Sequence, residues 1–399
     1  VFVFEHYYGQ KVHLGVTGSI AAYKSLNLLR LLLKSNLQVG VTLTRAGEKF
    51  IPALNFKALG AEPVFTEQDH FRQDFPHLYP QHSNAFLICP CTANTLNKIA
   101  QGLADNLLTT QVLAFSQRVL LAPAMNPQMW SNPLTQANLT KLKKHNFILI
   151  EPEEGEVACK DRGKGRLARE ETIYYHLLKS LTPQDLKGKK VLVTAGPTRE
   201  YFDLVRFWSN PSSGKTGLAI ALAAWLRGAE VYLVHGPINI DLDLLPEFTL
   251  LPITTAKQMA EKVLDLWPQM DMGIFSAAVC DFRPPYLGET KLKKEQQKKL
   301  VLEFETNPDI LATVGQKKTS TQKLAGFALE SQDVLAKAKS KLINKNLDLI
   351  LANKVGKHSS FGEDKNEIIL LDKKGREEHW PLLPKTEIAW RLWDILLST

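Results

Sequence analysis

Four groups of residues in this sequence have types and spacings that chemistry can use. Gly18-Ser19 follow a β-branched run, Val12 to Val16, and precede a stretch with helical apolar spacing. A glycine and a hydroxyl at a helix N-terminus turn backbone N–H groups and a side-chain donor toward a phosphate. The same pair also serves as a plain helix cap, so this loop alone decides nothing. Asn126 stands between two prolines in Ala122-Pro123-Ala124-Met125-Asn126-Pro127-Gln128-Met129-Trp130. Its amide carries donors and acceptors and can hold a carboxylate while its apolar neighbours fix its position. Core packing would account for Met125, Met129 and Trp130 but not for Asn126. Cys159 lies in a polar loop beside Lys160 and Arg162. A thiol can protonate a carbon centre in a closed site, and nearby cations tune its acidity. The lysines from Lys291 to Lys299 form the densest positive cluster, with no interleaved aromatics to stack bases. They read as a solvated face or a site for a small phosphorylated ligand, and nucleic acid is not expected as a partner.

Two further patterns imitate phosphate loops. Gly163-Lys164-Gly165-Arg166-Leu167-Ala168 has the spacing of a dinucleotide fingerprint, but the polar segment before it offers no leading strand. Gly214-Lys215-Thr216 resembles the end of a P-loop, yet Ser209 occupies the place of its first glycine.

Something must position these groups. With 399 residues the chain exceeds what one core usually serves, and its 44% hydrophobic and 23% charged content is that of an ordinary globular protein. Apolar runs at Val12–Val16, Val39–Leu43, Ala85–Cys89, Val119–Ala122 and Phe147–Ile150 alternate with segments able to hold crossover helices, the first at Ala21–Leu33. A Pro-, Gly- and charge-rich stretch, Leu181 to Lys190, separates this series from a second one. The second series has strands at Val191–Thr194, Val231–Val234, Gly273–Ala277 and Leu349–Ala352, a helix near Gly217–Arg227, and a closing hairpin around Asp372-Lys373-Lys374-Gly375. Two α/β domains are expected, 1–183 and 184–399, each a doubly wound, mainly parallel sheet with ligands at the carboxyl ends of its strands. No apolar stretch could span a bilayer, since Arg30 breaks the leucine-rich run Leu26 to Leu33. The opening Val-Phe-Val-Phe does not read as a signal peptide, although the absence of Met leaves the start open. Four scattered cysteines, Cys89, Cys91, Cys159 and Cys280, match no zinc or disulfide framework and fit a reducing cytoplasm.

The first half resembles the phosphopantothenoylcysteine decarboxylase family of flavodoxin-like proteins. Thr17-Gly18-Ser19-Ile20-Ala21-Ala22-Tyr23-Lys24 is similar to its first flavin loop, and Cys89-Pro90-Cys91-Thr92-Ala93-Asn94-Thr95 to its Ala-Pro-Ala-Thr-Ala-Asn segment. The two cysteines that replace alanines there are expected to be buried. Ala122 to Trp130 contains the family's Pro-x-Met-Asn-x-x-Met-Trp clamp, and Ala158 to Leu167 resembles its Ala-Cys-Gly-x-x-Gly-x-Gly-Arg flap, with Lys160 in place of a glycine. The resemblance implies FMN held by Gly18, Ser19, Ile20, Thr44, Thr92, Ala93 and Asn94, with Asn126 holding the substrate and Cys159 donating a proton. The catalytic histidine it implies best matches His77, but the interval to Pro90 is one residue short and leaves His82 as a substitute. The implied chemistry is flavin oxidation on the thiol side of 4'-phosphopantothenoylcysteine, loss of carbon dioxide, and reduction to 4'-phosphopantetheine.

The second half resembles the phosphopantothenate-cysteine ligase family. The resemblance rests on Thr194 to Glu200, on Ser209-Asn210-Pro211-Ser212-Ser213-Gly214-Lys215-Thr216-Gly217, on Ala277-Ala278-Val279-Cys280-Asp281-Phe282 and on Lys291-Leu292-Lys293-Lys294, with Asn307 to Leu311 and Gly326-Phe327 farther along. Tyr201, Trp208 and Pro211 depart from commoner choices. The implied reaction activates 4'-phosphopantothenate with CTP and Mg²⁺ as an acyl-cytidylate, which cysteine then attacks. Asn210 and Lys291 are the implied catalytic residues. Phe275, Asp281, Lys291, Pro308, Asp309, Ile310, Leu311, Phe327, Lys341 and Lys345 are the implied nucleotide site. A homo-oligomer follows from the same resemblance. A flavin-binding regulatory subunit without turnover would not need Asn126, Cys159 and a histidine, and a peptidyl-cysteine decarboxylase would not need the second half.

Overall fold

Short runs of Val, Ile and Leu bounded by turn residues become parallel strands buried on both faces. The computed structural model of the chain describes residues 1–288, 299, 301–354 and 363–399. The chain divides into two compact units, Val1–Thr182 and Pro183–Thr399.

In the first unit, β1 (Lys11–Val16), β2 (Gln38–Leu43), β3 (Val64–Phe65), β4 (Ala85–Cys91), β5 (Val119–Pro123) and β6 (Ile148–Leu149) form one parallel sheet in the order 3-2-1-4-5-6. Without the two-residue edge strand β3 this is the 2-1-3-4-5 order of flavodoxin-like folds. Every residue of β4 is buried, as a strand covered on both faces requires. Helix α1 (Lys24–Lys34) buries Ser25, Leu28, Leu29 and Leu32, the i, i+3, i+4, i+7 stripe of an amphipathic helix. The expected helix start at Ala21 is instead a 3₁₀ turn, Ile20–Tyr23, headed by Ser19.

The second unit holds a sheet of eight strands: β9 (Lys190–Ala195), β10 (Glu230–His235), β11 (Thr249–Pro252), β12 (Met272–Phe275), β13 (Lys323–Glu330), β14 (Leu349–Lys354), β15 (Lys365–Asp372) and β16 (Glu377–Pro384). A small hairpin, β7 (Glu153–Glu156) and β8 (Arg162–Arg166), belongs to the first unit. The large sheet runs 11-10-9-12-13-14-15-16, with β9 to β14 parallel to one another and β15 and β16 antiparallel. This is a Rossmann-like order extended by the expected C-terminal hairpin. The helix over Lys215–Leu226 is buried continuously from Gly217 to Leu226. Such a helix must be covered on all sides. The C-terminal helix Lys385–Ser398 supplies part of that cover, and Trp393 Nε1 donates to Ile220 O at 3.0 Å.

Candidate active sites

At the carboxyl ends of β1, β2 and β4, three capped turns surround a cleft of about 670 Å³. Ser19 accepts from Ala21 N at 3.2 Å. Thr44 caps α2 (Arg45–Phe50) by accepting from Gly47 N at 3.1 Å, and Thr92 caps α3 (Ala93–Gln101) by accepting from Thr95 N at 3.4 Å. Each cap uses one N–H, and the other first-turn donors have no partner within their own helix. Thr17 ties β1 to β4, because its hydroxyl donates to Pro90 O at 2.6 Å and accepts from Thr92 N at 3.1 Å. Glycine is required at position 18, where a Cβ would lie 2.4 Å from Ala46 Cβ. Gly18, Ser19, Thr44, Thr92, Ala93 and Asn94 therefore line one cleft, with Ile20 exposed at the mouth of the next. Helix N-termini and hydroxyls that converge on one cleft fit a ligand that carries one phosphate.

Ser19, Ala124 and Met125 are shared with an adjoining cleft of about 570 Å³, where Asn126 and Cys159 meet. Asn126 caps α4 (Pro127–Ser131), and its Oδ1 accepts from Gln128 N at 2.8 Å. That bond fixes the amide orientation and leaves Nδ2 facing the cleft, 3.1 Å from Cys159 Sγ. The hairpin β7–β8 carries Cys159 at its tip and is fastened by Met125 N donating to Gly165 O at 2.9 Å. Gly165 has φ +149°, and a Cβ there would lie 2.4 Å from Met125 O. The Gly163–Ala168 pattern is thus half of a flap, with no helix N-terminus in it. Lys160 adopts φ +67°, the conformation a glycine takes freely. The cations expected to face the thiol do not contact it: Arg162 approaches Glu156 at 3.7 Å, and the charged group in reach of Cys159 is Asp161, Sγ to Oδ2 3.4 Å. Nothing in the sequence singled out Asp161.

Neither candidate histidine lines these clefts. His77 is half-buried in the 3₁₀ segment Pro76–His82, edge-on to the Phe75 ring, and His82 is exposed at the end of the same turn. Cys89 and Cys91 are fully buried in β4; burial, chiefly, pushes the Cys89 thiol up to about 12 and the Cys91 thiol up as well, so neither offers a thiolate.

The second unit has a cleft of about 380 Å³ at the carboxyl ends of its strands, against the N-terminus of α5, the helix Lys215–Leu226. Gly217 lets that N-terminus press onto β9, since a Cβ there would lie 2.6 Å from Ala195 Cβ. Gly214, at φ +74°, heads the helix, so the P-loop imitation does present backbone donors although it is no P-loop. Asn210 Nδ2 donates to Val279 O at 3.0 Å, and Asn210 lines the cleft together with Asp281, Phe327 and Lys341. Lys341 is paired with Glu330 at 2.6 Å. The other expected nucleotide residues are not brought there. Phe275 is in the core beneath, and Asp309 caps the helix Ile310–Lys317 and pairs with Lys345 at 2.8 Å. Pro308, Ile310 and Leu311 stand at that same helix start, outside the lining. Lys291 falls outside the described residues.

Lys215, part of two sequence motifs without a role of its own, lines the same cleft, as do Asn353, Asn366 and Lys385, which sequence reasoning missed. The side-chain oxygens of Asn353 and Asn366 are buried and have no partner among the described residues. Lys385 is buried, donates to the Glu363 carbonyl, and has its pKa lowered by desolvation and then by Lys215. Asn353, a polar residue in the carboxyl-terminal part of an apolar strand, could have been suspected. Asn366 and Lys385 reach the cleft from the appended hairpin and the last helix, which no local pattern signals.

The flavoprotein family model matches residues 4–182, and the model for the DNA/pantothenate metabolism flavoprotein C-terminal domain matches residues 186–399. The coenzyme A biosynthesis bifunctional protein CoaBC of Bacillus subtilis is 39% identical over 393 residues, covering 96% of this chain and 95% of that protein. Its counterpart in Haemophilus influenzae is 38% identical over 386 residues, with coverage of 96% and 95%. That of Borreliella burgdorferi is 35% identical over 390 residues, with coverage of 96% and 98%. Among the described residues no helix is long and apolar enough to cross a membrane.

Proposed function

The chain belongs to the family of bifunctional coenzyme A biosynthesis proteins CoaBC, and we propose that residues 1–183 carry its phosphopantothenoylcysteine decarboxylase and residues 184–399 its CTP-dependent phosphopantothenate-cysteine ligase. The observation that carries the first assignment is the Asn126 amide facing the Cys159 thiol at 3.1 Å beside the Gly18 cleft. The cleft fits FMN: the turns at Ser19, Thr44 and Thr92 would hold its phosphate, and Gly18 lets the start of α2 pack close against the first of them. Bound FMN supplies the two-electron chemistry without which loss of carbon dioxide would leave an unstabilised carbanion. Asn126 holds the substrate carboxylate through its N–H groups, and the flap excludes water. Cys159 keeps a proton on Sγ for the carbon centre of the enethiol left by decarboxylation. His77 lies outside both clefts of its own chain, which supports a homo-oligomer in which a neighbouring copy completes the site.

In the second unit the carboxylate of 4'-phosphopantothenate attacks the α-phosphate of CTP, and the bond to the leaving pyrophosphate breaks. The cysteine amine then attacks the acyl carbon and expels CMP, giving 4'-phosphopantothenoylcysteine. Backbone donors at the start of α5 together with Lys215, Lys341 and Lys385 face the developing phosphate charge, and Lys291 adds a cation. Among the described residues no three His, Cys, Asp or Glu side chains converge as a metal site. A Mg²⁺ ion would then be held chiefly by the nucleotide phosphates, with Asp281 as a protein ligand. Asn210 turns its amide oxygen toward the acyl group and serves the coupling step.

Purified protein supplied with FMN, CTP, Mg²⁺, cysteine and 4'-phosphopantothenate should release pyrophosphate and carbon dioxide and form 4'-phosphopantetheine. Pyrophosphate without carbon dioxide would refute the first assignment, and carbon dioxide only from supplied 4'-phosphopantothenoylcysteine would refute the second.

A further inference from the structure

The carboxylate nearest to the Asn126 amide belongs to the protein itself. Asp161 Oδ2 accepts from Asn126 Nδ2 at 2.5 Å and from Cys159 Sγ at 3.4 Å, and the same amide nitrogen lies 3.1 Å from the sulfur. Asn126 Oδ1 is committed to the Gln128 N–H, so the side chain cannot turn over without losing that bond. A primary amide has two N–H donors and no more. Here one faces the sulfur and the other faces Asp161, so none is left for a ligand. A second carboxylate cannot simply join the first, because two like charges a few ångströms apart do not both stay ionised at a shared donor. Occupation by Asp161 and occupation by a substrate carboxylate therefore exclude each other.

The flap is built so that this side chain can leave while the hairpin stays closed. Its fastening is backbone: Met125 N to Gly165 O at 2.9 Å, and Val157 N to Asp161 O at 3.0 Å across the turn. Lys160, at φ +67°, sets the sharp bend that aims Asp161 inward. Asp161 itself is exposed to solvent. We infer that Asp161 is the resident occupant of the carboxylate subsite: it holds Asn126 and Cys159 in register in the empty site, and the carboxylate of the incoming substrate displaces it. The inference rests on the reading of Asn126 as the carboxylate clamp. It makes Asp161 a specificity-determining residue, because a ligand without a carboxylate at that point has nothing to exchange with it.

The test compares substrate with product. Asp161→Asn and Asp161→Ser, each as the flavin-loaded full chain, remove the competing charge in two different shapes. The KM for 4'-phosphopantothenoylcysteine should fall about tenfold, equivalent to roughly 1.4 kcal/mol. The inhibition constant of 4'-phosphopantetheine, which has the phosphate but no carboxylate, should stay at its wild-type value. A general relief of repulsion would move both constants, since both ligands carry the phosphate, and that result would overturn the inference. An unchanged or raised KM in both variants would overturn it as well. If the wild-type protein releases no carbon dioxide, the assignment of decarboxylation fails before Asp161 is at issue.

Discussion

Gly18→Ala tests the flavin cleft through a single methyl group. The added Cβ would stand 2.4 Å from Ala46 Cβ, 3.1 Å from Ala46 C and 3.3 Å from Ala46 Cα. None of these atoms is the end of a flexible side chain, so relief requires the first turn of α2 to retreat from β1. That turn is itself pinned, because a Cβ at Gly47 would lie 2.6 Å from Val16 O and Thr44 N donates to the same oxygen at 3.0 Å. Overpacking of this kind costs about 1–3 kcal/mol. The lost backbone freedom of the unfolded chain returns about 0.4–1 kcal/mol, so a net cost remains. If α2 yields, the N–H donors at its start move away from the phosphate and FMN affinity drops, by about 5-fold to 150-fold for a cost of 1–3 kcal/mol. If α2 holds, the strain appears instead as a lower unfolding temperature, roughly 2–4 °C per kcal/mol for a unit of this size. Fluorescence titration of FMN-free protein with FMN, together with thermal unfolding of the same sample, separates the two. Wild-type affinity at an unchanged unfolding temperature would refute the reasoning, since the methyl would then have found room.

Cys159→Ser should still release carbon dioxide but accumulate the enethiol rather than 4'-phosphopantetheine, because a hydroxyl is a far weaker acid than a thiol; wild-type product yield by mass spectrometry would place the proton elsewhere. Asn210→Asp replaces the donor to the Val279 carbonyl with an acceptor. Pyrophosphate release should persist while coupling to cysteine falls about 10-fold to 100-fold, in line with ~1–3 kcal/mol for a buried hydrogen bond left unmade. Lys291→Gln should instead suppress pyrophosphate release, and loss of the same step in both variants would refute the division of roles. Asp348 is buried; desolvation raises its pKa, but Lys318, Lys373 and the Leu324 N–H outweigh that and hold it below its usual 3.8. Its contribution is therefore complete above the unfolded-state value and is lost as pH falls through the lower folded value. Asp348→Asn should destabilise the second unit at pH 7 by about 3–5 kcal/mol. The gap to wild type in chemical denaturation should narrow only below about pH 4, and a gap that narrows already between pH 7 and 5 would show that another group is responsible.

Both sheets were legible because their central strands are buried on two faces and read as unbroken apolar runs: Val12–Val16, Ala85–Cys89 and Val191–Thr194 lie within observed strands. The strands that escaped notice are β3, only two residues long, β11, with most of its residues exposed, and β13, whose ends are charged and whose middle is Gly326. That glycine makes room for the Leu311 side chain, whose Cδ2 would lie 2.7 Å from a Cβ there. Site residues were legible where a local motif sits at a strand end, as with Gly18, Thr92, Asn126 and Asn210. Asp161, Asn366 and Lys385 owe their positions to tertiary placement. Periodicity carries no record of which hairpin folds over which cleft. Asp309 and Lys345, expected at the nucleotide site, pair with each other at a helix cap, an arrangement that residue type alone does not reveal.

The two units solve the same problem, holding a phosphorylated ligand at the ends of parallel strands, with different electrostatics. In the first, Arg45 and Lys98 line the cleft together with Glu67 and Asp105. Lys98 is paired with Asp105 at 2.5 Å, and Glu67 accepts from Leu107 N at 3.3 Å. Beside Arg45, a phosphate meets chiefly backbone donors there, enough for one such group and less dependent on salt than a lysine cluster. In the second, Lys215, Lys341 and Lys385 converge beside a helix N-terminus, and desolvation depresses the Lys385 pKa, with the neighbouring Lys215 as the next contribution. Lys215 and Lys341 are paired with Asp364 and Glu330, each at 2.6 Å, so an arriving polyanion exchanges with those carboxylates. A triphosphate there would draw on side-chain charges, which salt screens, whereas the phosphate of FMN in the first unit would draw chiefly on backbone donors. Raising ionic strength from 0.05 M to 0.5 M should accordingly weaken CTP binding to the ligase much more than FMN binding to the decarboxylase. Titrations of both ligands on the same full-length protein would decide it, and equal salt dependence would mean that the lysine cluster does not face the nucleotide.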